Sequence, residues 1–88
     1  MIKVTDLKIG MKVKLKSLEQ LEKEGCKYDE FEVLWDDRVQ NCITPSMKQF
    51  FGAEVVIDGL QFGYFTIKQK DDIPKYAFYP VWIDKILN

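Results

Sequence analysis

The sequence of 88 residues contains no histidine and only two cysteines, Cys26 and Cys42. Histidine is the commonest general base and the commonest nitrogen ligand for metals, so its absence removes much of hydrolytic and metal chemistry. Two cysteines alone do not make a zinc site, and in a protein that is not exported they stay reduced. We therefore expect small buried or half-buried thiols, no metal and no cofactor.

Long hydrophobic runs and an excess of one charge are also missing. No stretch approaches the roughly 18 apolar residues of a membrane span, and the segment Met1–Asp6 lacks the apolar core of a signal peptide. A net charge of −1 removes the overall positive field that usually accompanies nucleic-acid binding. We expect a soluble cytoplasmic protein with no membrane contact.

No residue pattern indicates catalysis, because we find neither a nucleophile with a base nor two carboxylates in distinct environments. The acidic pairs Asp36–Asp37 and Asp71–Asp72 are flanked by turn-forming residues, so we interpret them as solvated turns and not as cation ligands. Gly59 to Gly63 is not a phosphate loop, since no helix begins after it. We expect that the protein is not an enzyme.

The chain is long enough for one domain, residues 1–88, and its 47% hydrophobic and 14% aromatic residues can build one core. Strict alternation over Lys12–Lys16 predicts a half-buried strand with Val13 and Leu15 facing inward. Ser17, followed three residues later by Gln20, predicts the start of a helix over residues 18–24. Gly25 would end that helix in the left-handed conformation.

The middle of the chain is less regular. Residues 26–41 give no clear pattern, and the segment Phe31–Trp35 is compatible with a strand or with an ordered loop. After it, a Thr-Pro start at Thr44 and a glycine at position 52 predict a short helix over residues 45–51. The apolar residues of this helix, which would face the core, are Met47, Phe50 and Phe51.

The last third of the chain is rich in β-branched and aromatic residues. Ala53–Asp58 and Phe62–Lys68 predict a hairpin joined by a glycine-containing connection at Gly59. Pro80–Leu87 predicts a closing helical turn or a final strand. Several short strands in so few residues favour a small barrel, against which the two helices would pack.

Four segments carry a resemblance to a known family. They are Leu7–Leu15 with a Gly-x-x-Val strand opening, Ser17–Gly25 with a Ser-Leu-Glu helix, Ile43–Ile57 with a Met-x-x-x-x-Gly helix stop, and the aromatic end Tyr76–Ile86. Together they resemble small proteins of SH3-like fold that bacteriophages and prophages encode. The resemblance covers most of the chain, and residues 27–41 fit it least.

This resemblance implies a mainly β protein, a small SH3-like barrel of about five strands with one or two short helices. It implies that Gly10 makes the turn into the first strand, that Gly52 ends the second helix and that Met47 is core. Its motifs are structural and nearly silent on activity. The family context adds a bacterial host cytoplasm and a counter-defence role, in which the protein blocks an immune enzyme or sequesters its nucleotide signal.

Aromatic residues outnumber those that one small core normally hides, and Tyr and Trp are favoured at interfaces. We therefore predict a protein-binding module that contacts a host or phage protein through the divergent loop and the aromatic end. The predicted contact residues are Tyr28, Phe31, Trp35, Asp37, Arg38, Tyr79 and Trp82. Closing the barrel is the alternative role of Trp82. The core should hold most, but not necessarily all, of the six phenylalanines, which are Phe31, Phe50, Phe51, Phe62, Phe65 and Phe78.

Two alternatives remain open. A nucleic-acid- or nucleotide-binding barrel would use the lysine face Lys12, Lys14 and Lys16, with stacking from Tyr64 or Trp82. Alternating lysines are also the ordinary solvent face of a strand, and neighbouring acidic residues weaken their field. The other alternative is a structural role, in which the protein forms a homo-oligomer or attaches to a virion component.

Overall fold

The computed structural model describes residues 2–69 and 75–87 of the chain. The acidic pair Asp71–Asp72 lies outside these residues. Within them, the elements in chain order are a 3₁₀ turn at Val4–Asp6, β1 at Lys12–Leu15, α1 at Leu18–Lys23, β2 at Lys27–Tyr28, β3 at Leu34–Asp36, β4 at Asn41–Ile43, a 3₁₀ helix at Pro45–Phe50, β5 at Glu54–Leu60, β6 at Phe65–Ile67, a 3₁₀ turn at Pro80–Trp82 and β7 at Ile83–Ile86. None of the helices in this part of the chain has the length and hydrophobicity that a membrane crossing needs.

The larger sheet has four antiparallel strands in the order β6, β5, β1, β7. β1 lies in its middle, where Val13 pairs with Val55 on one side and Ile86 on the other. Val13 and Leu15 are fully buried and Lys12 is exposed. The predicted half-buried strand is therefore confirmed.

The smaller sheet is an antiparallel meander in the order β2, β3, β4. Leu34 of β3 lies opposite Ile43 of β4, and both side chains are fully buried. Trp35, which follows Leu34 on β3, points to the opposite, exposed face of the sheet, as strand alternation requires. The segment that the sequence left open between a strand and a loop thus contains both, a loop over residues 29–33 and then β3.

The mainly β class is confirmed, but the strands form open sheets and not a closed barrel, and they number more than the five predicted. Over residues 2–69 and 75–87 the structure has seven strands in two open sheets. The larger sheet ends at β6 and β7, and only an isolated bridge between Phe65 and Phe78 extends the β6 edge. The physical reason is that residues 27–43 pair with one another as a local meander and do not continue the larger sheet.

Side chains from both sheets share one core. Phe78 is its aromatic centre, because its ring lies about 6 Å from those of four other aromatic residues. These neighbours are Phe50, Phe51, Phe65 and Trp82. Burying each large side chain of this kind stabilises the fold by about 1.5–3 kcal/mol. Phe65, Phe78 and Trp82 are fully buried, and Met47 is 4% exposed.

Helix α1 begins and ends as its sequence predicts. The Ser17 hydroxyl accepts a hydrogen bond from the backbone N–H of Gln20 at 3.1 Å, and Gly25 has φ +109°. The Gln20 side chain donates to Glu24 and does not return to Ser17, so only half of a capping box forms. Leu21 is the fully buried residue of the helix and ties it to the core.

The second predicted helix is a 3₁₀ helix over Pro45–Phe50, with the proline in its first turn. Thr44 makes no side-chain cap hydrogen bond to this helix, contrary to the expected role. Gly52, at φ +83°, follows its end as predicted. The helix delivers Met47 into the core and leaves Phe50 and Phe51 half-buried against it.

The predicted hairpin between β5 and β6 exists, but its turn is displaced. Gly59 lies inside β5 opposite Thr66, at a shift in register, and a Cβ at Gly59 would come within 2.6 Å of the Thr66 hydroxyl. The connection is formed by residues 61–64 instead. Phe62 stands in this turn with its side chain exposed, so it is not among the phenylalanines of the core.

Candidate functional site

The loop between β2 and β3, residues 29–33, is held in one shape by its own hydrogen bonds. The Asp29 carboxylate accepts from the backbone N–H of Phe31 at 2.8 Å and from that of Val33 at 3.0 Å. The backbone N–H of Asp29 donates to the Val33 carbonyl at 2.9 Å, which closes the loop. Asp29 therefore fixes the backbone that carries Phe31.

Three aromatic side chains on this hairpin are exposed to solvent. Phe31, in the loop, is 73% exposed, Trp35 on β3 is 43% exposed and Tyr28 on β2 is 41% exposed. The sequence predicted all three as contact residues, and the structure leaves them accessible. Phe31 is therefore not among the phenylalanines of the core, because the loop carries its side chain into solvent.

Trp35 lies on the outer face of the smaller sheet. Its neighbours across the strands are Lys27 on β2 and Cys42 on β4. The indole N–H donates to the carboxylate of Asp37, a predicted contact residue that is itself exposed. We call Tyr28, Phe31, Trp35 and Asp37 the hairpin surface.

Tyr28 has charged groups around its ring. The Nζ atom of Lys48 lies 4.8 Å from the ring centroid, which is a cation–π contact. Partial burial raises the pKa of the Tyr28 hydroxyl, and the negative charges of Glu22 and Glu32 raise it further. Tyr28 is therefore bordered by two carboxylates and covered by one cation.

The guanidinium group of Arg38 forms its hydrogen bonds and ion pairs within the protein. Its guanidinium donates to Asp36 through Nη2 at 2.8 Å and through Nε at 3.0 Å, and to Glu24 through Nη1 at 2.7 Å. Glu24 in turn accepts from Lys16 at 2.9 Å. These ion pairs connect β3 to α1, so Arg38 acts first as a structural residue.

Asp36 is the buried centre of this network, with 1% of its surface exposed. It is not the solvated turn residue that the sequence suggested. Burial alone would raise the pKa of its carboxyl group, but hydrogen bonds from Arg38 and Trp82 outweigh burial and lower that pKa to about 2. A buried carboxylate is stable only with such partners, because desolvation of an unpaired charge costs several kcal/mol.

Trp82 is a core residue, which corrects its prediction as a contact residue. Its side chain is fully buried, and its indole N–H donates to Asp36 at 2.9 Å. The 3₁₀ turn at Pro80–Trp82, just before β7, places the Trp82 side chain in the core. The indole has no surface to offer a partner, and its role is the packing one that the sequence left as an alternative.

The Tyr79 side chain also makes its contacts within the protein. It is half-buried, its ring packs edge-on against Trp82 at 5.1 Å, and its hydroxyl accepts from the Asn41 side chain at 2.8 Å. These contacts join the aromatic end of the chain to β4. The structure therefore separates the two predicted halves of the site, leaving the hairpin accessible and the aromatic end largely internal.

The lysine face does not form an uninterrupted basic surface. Lys14 lies between Glu54 on β5 and Lys85 on β7, and Lys16 forms an ion pair with Glu24. Tyr64, the predicted stacking residue, is half-buried with its ring 6.3 Å from that of Tyr79. A cleft on this face is lined by Lys14 and Lys16 but also by Asp84, so its charge is mixed as well.

Among the described residues, two large apolar side chains outside the predicted site are more than half exposed. Phe62 is fully exposed in the β5–β6 turn, and Ile9 is 67% exposed in the turn before β1. Gly63, directly after Phe62, was the available sign that this phenylalanine belongs to a turn. Among residues 2–69 and 75–87, no group of three or more acidic or cysteine side chains is arranged to hold a metal ion.

Comparison of the chain with protein-family models, with curated proteins and with solved structures found no match.

Proposed function

We propose that this chain is a non-enzymatic protein-binding module, and that the hairpin surface is where it contacts its partner. The partner class is a host or phage protein, as the resemblance to SH3-like phage and prophage proteins implies. The observation that carries the proposal is the exposure of Tyr28, Phe31 and Trp35 on one hairpin. Exposed aromatic residues of this kind dominate the energy of many protein interfaces.

The order of the loop supports the same conclusion. Phe31 is presented by a backbone that Asp29 holds through two hydrogen bonds. A loop that is already in its bound shape loses less conformational entropy when a partner binds. Side-chain ordering otherwise costs about 0.5–1.5 kcal/mol per residue at an interface.

The proposal is tested by capture from bacterial lysate with matched variants. The wild-type chain, a Phe31→Ala/Trp35→Ala variant and a Phe62→Ala/Ile9→Ala variant are immobilised, with and without nuclease. The control variant removes two apolar side chains that are also exposed but lie outside the β2–β3 hairpin. Bound proteins are quantified by mass spectrometry.

We expect a protein that resists nuclease, binds the wild type and the control alike, and falls at least about tenfold on the hairpin variant. Equal capture by all three chains would contradict the proposal, as would equal loss from both variants. Far-UV circular dichroism of each variant confirms that the fold is retained.

The nucleic-acid alternative has weaker support, because Lys16 is paired with Glu24 and Glu54 lies opposite Lys14. Recovery of nucleic acid that disappears with nuclease, and whose binding falls steeply with salt, would favour it over the protein partner. Sedimentation that shows a dimer lost on Phe62→Ala would favour self-assembly.

A further inference from the structure

The β2–β3 hairpin is acidic in a chain that is nearly neutral. Between residues 27 and 38 there are five carboxylates and two basic residues, whereas the whole chain has a net charge of −1. One of the basic residues, Arg38, is neutralised by its ion pairs with Asp36 and Glu24. The exposed carboxylates of the segment are Asp29, Glu30, Glu32 and Asp37.

A cation already lies against this surface within the protein. Lys48 places its Nζ atom 4.8 Å from the centre of the Tyr28 ring. The negative face of an aromatic ring attracts a cation by about 0.5–1 kcal/mol at an exposed site, and nearby carboxylates add to that attraction. The same combination of ring and carboxylate recurs at Trp35. Its neighbour across the strands is Lys27, but among the described residues no lysine or arginine lies over the indole ring.

The hydrogen bond of Trp35 narrows what its side chain can recognise. The indole N–H, the one hydrogen-bond donor of the Trp35 side chain, already donates to the Asp37 carboxylate, so the side chain has no donor left for a partner. What the side chain offers is its aromatic surface, in a residue that is 43% exposed and held beside a negative charge. A positively charged side chain satisfies both features at once.

We propose that the partner of the hairpin surface presents a basic segment, whose Lys or Arg side chains lie on the rings of Trp35 and Phe31 and pair with the hairpin carboxylates. This inference rests on the proposed function of the hairpin as a protein-binding surface. The same carboxylates repel phosphate groups, so nucleic acid is not the ligand of this surface.

The test uses a random dodecapeptide library, selected on the immobilised full chain at low salt. Peptides that also bind the Phe31→Ala/Trp35→Ala variant are removed. We expect the remaining peptides to carry a net charge of about +3 or more, and their affinity to fall as salt is raised because exposed ion pairs are screened.

Charge-reversal variants then distinguish the effect of the hairpin carboxylates on binding from the effect of the net charge of the protein. Glu30→Lys/Glu32→Lys is expected to weaken binding of a selected peptide at least about tenfold. The matched control, Glu54→Lys/Asp84→Lys, changes the net charge equally but on the larger sheet. It is expected to stay within about twofold of the wild type.

Three other outcomes of these experiments would contradict the basic-partner inference. Selected peptides that are neutral or acidic and depend on Trp35 would overturn the basic-partner inference and leave the proposed function in place. Equal weakening by both charge-reversal variants would overturn it too, because only net charge would matter. If no peptide depends on Trp35, both the inference and the proposed function are contradicted.

Discussion

Replacing Asp36 with asparagine is expected to lower the free energy of unfolding by about 3 kcal/mol at neutral pH. Each carboxylate oxygen of Asp36 accepts two hydrogen bonds. Oδ1 accepts from the backbone N–H of Arg38 at 2.9 Å and from its Nε at 3.0 Å. Oδ2 accepts from Nη2 of Arg38 at 2.8 Å and from the indole N–H of Trp82 at 2.9 Å.

An asparagine at position 36 has one accepting oxygen and one NH2 group, so either orientation of the amide opposes donors to donors. At least two hydrogen bonds to a charged group are lost, and each is worth about 1.5–3 kcal/mol. Relaxation of Arg38 towards Glu24 recovers part of this, which sets the total near 3 kcal/mol. The control is Asp37→Asn, an exposed neighbour, for which we expect a change of about 0.5 kcal/mol or less.

The pH dependence of this difference has a definite sign. The pKa of Asp36 is lowered from 3.8 to about 2, since hydrogen bonds from Arg38 and Trp82 outweigh burial. A lowered pKa means that the ionised carboxylate stabilises the fold fully above its unfolded-state pKa. That contribution is lost as the pH falls through the folded-state value. The gap between wild type and Asp36→Asn should therefore narrow between about pH 4 and about pH 2.

Urea unfolding followed by far-UV circular dichroism measures both quantities, at pH 7 and again near pH 2.5. The account of the buried network is refuted if Asp36→Asn unfolds within about 0.5 kcal/mol of wild type at pH 7. It is equally refuted if the gap is the same at both pH values.

Three further predictions concern single residues. Gly25→Ala should cost about 1 kcal/mol, because φ is +109° there, and lower the melting temperature by about 4–8 °C, whereas Glu19→Ala should cost less than about 0.5 kcal/mol. Burial, together with the neighbouring Asp36 carboxylate, raises the pKa of the Cys26 thiol from 9.0 to about 11. In a Cys42→Ser background, alkylation of Cys26 at pH 8 should therefore be about a hundredfold slower in the folded protein than in the unfolded one. Equal alkylation rates in native buffer and in urea would contradict this. Asp29→Ala should speed amide hydrogen exchange at Phe31 and Val33 at least about fivefold, and unchanged exchange would show that the carboxylate does not hold the loop.

The local elements with a physical signal of their own could be predicted from the sequence. Alternation places Val13 and Leu15 on one face whatever the rest of the chain does, and β1 follows it. The serine at position 17 and the glycine at position 25 satisfy the two ends of a helix from neighbouring residues alone. Such features need no knowledge of tertiary contacts.

The arrangement of the sheets could not be predicted in the same way. Whether residues 27–43 join the larger sheet depends on long-range pairing, and the strands there are only two or three residues long. The position of the β5–β6 turn was missed because Gly59 looks like a turn residue. In the structure it is instead a strand position where Thr66 leaves no room for a side chain.

The candidate site was predicted in part. Phe31 and Trp35 were predicted as contact residues because aromatic residues outnumber those that one small core hides and these two fall in the divergent loop, and the structure leaves both exposed. Trp82 was assigned to the surface wrongly, since its partner Asp36 is 46 positions away in the sequence. Nothing in the adjacent pair Asp36 and Asp37 tells which carboxylate is buried, and tertiary structure alone separates them.

The central claim, that the partner contacts the hairpin, is tested most directly by photo-crosslinking from two positions. The photoreactive residue p-benzoylphenylalanine replaces Phe31 in one chain and Phe62 in another, because both phenylalanines are exposed and lie in loops of the two sheets. Irradiation in bacterial lysate, followed by mass spectrometry, is expected to give a discrete protein adduct from position 31 and none from position 62. Adducts from position 62 alone, or the same adducts from both positions, would contradict the claim.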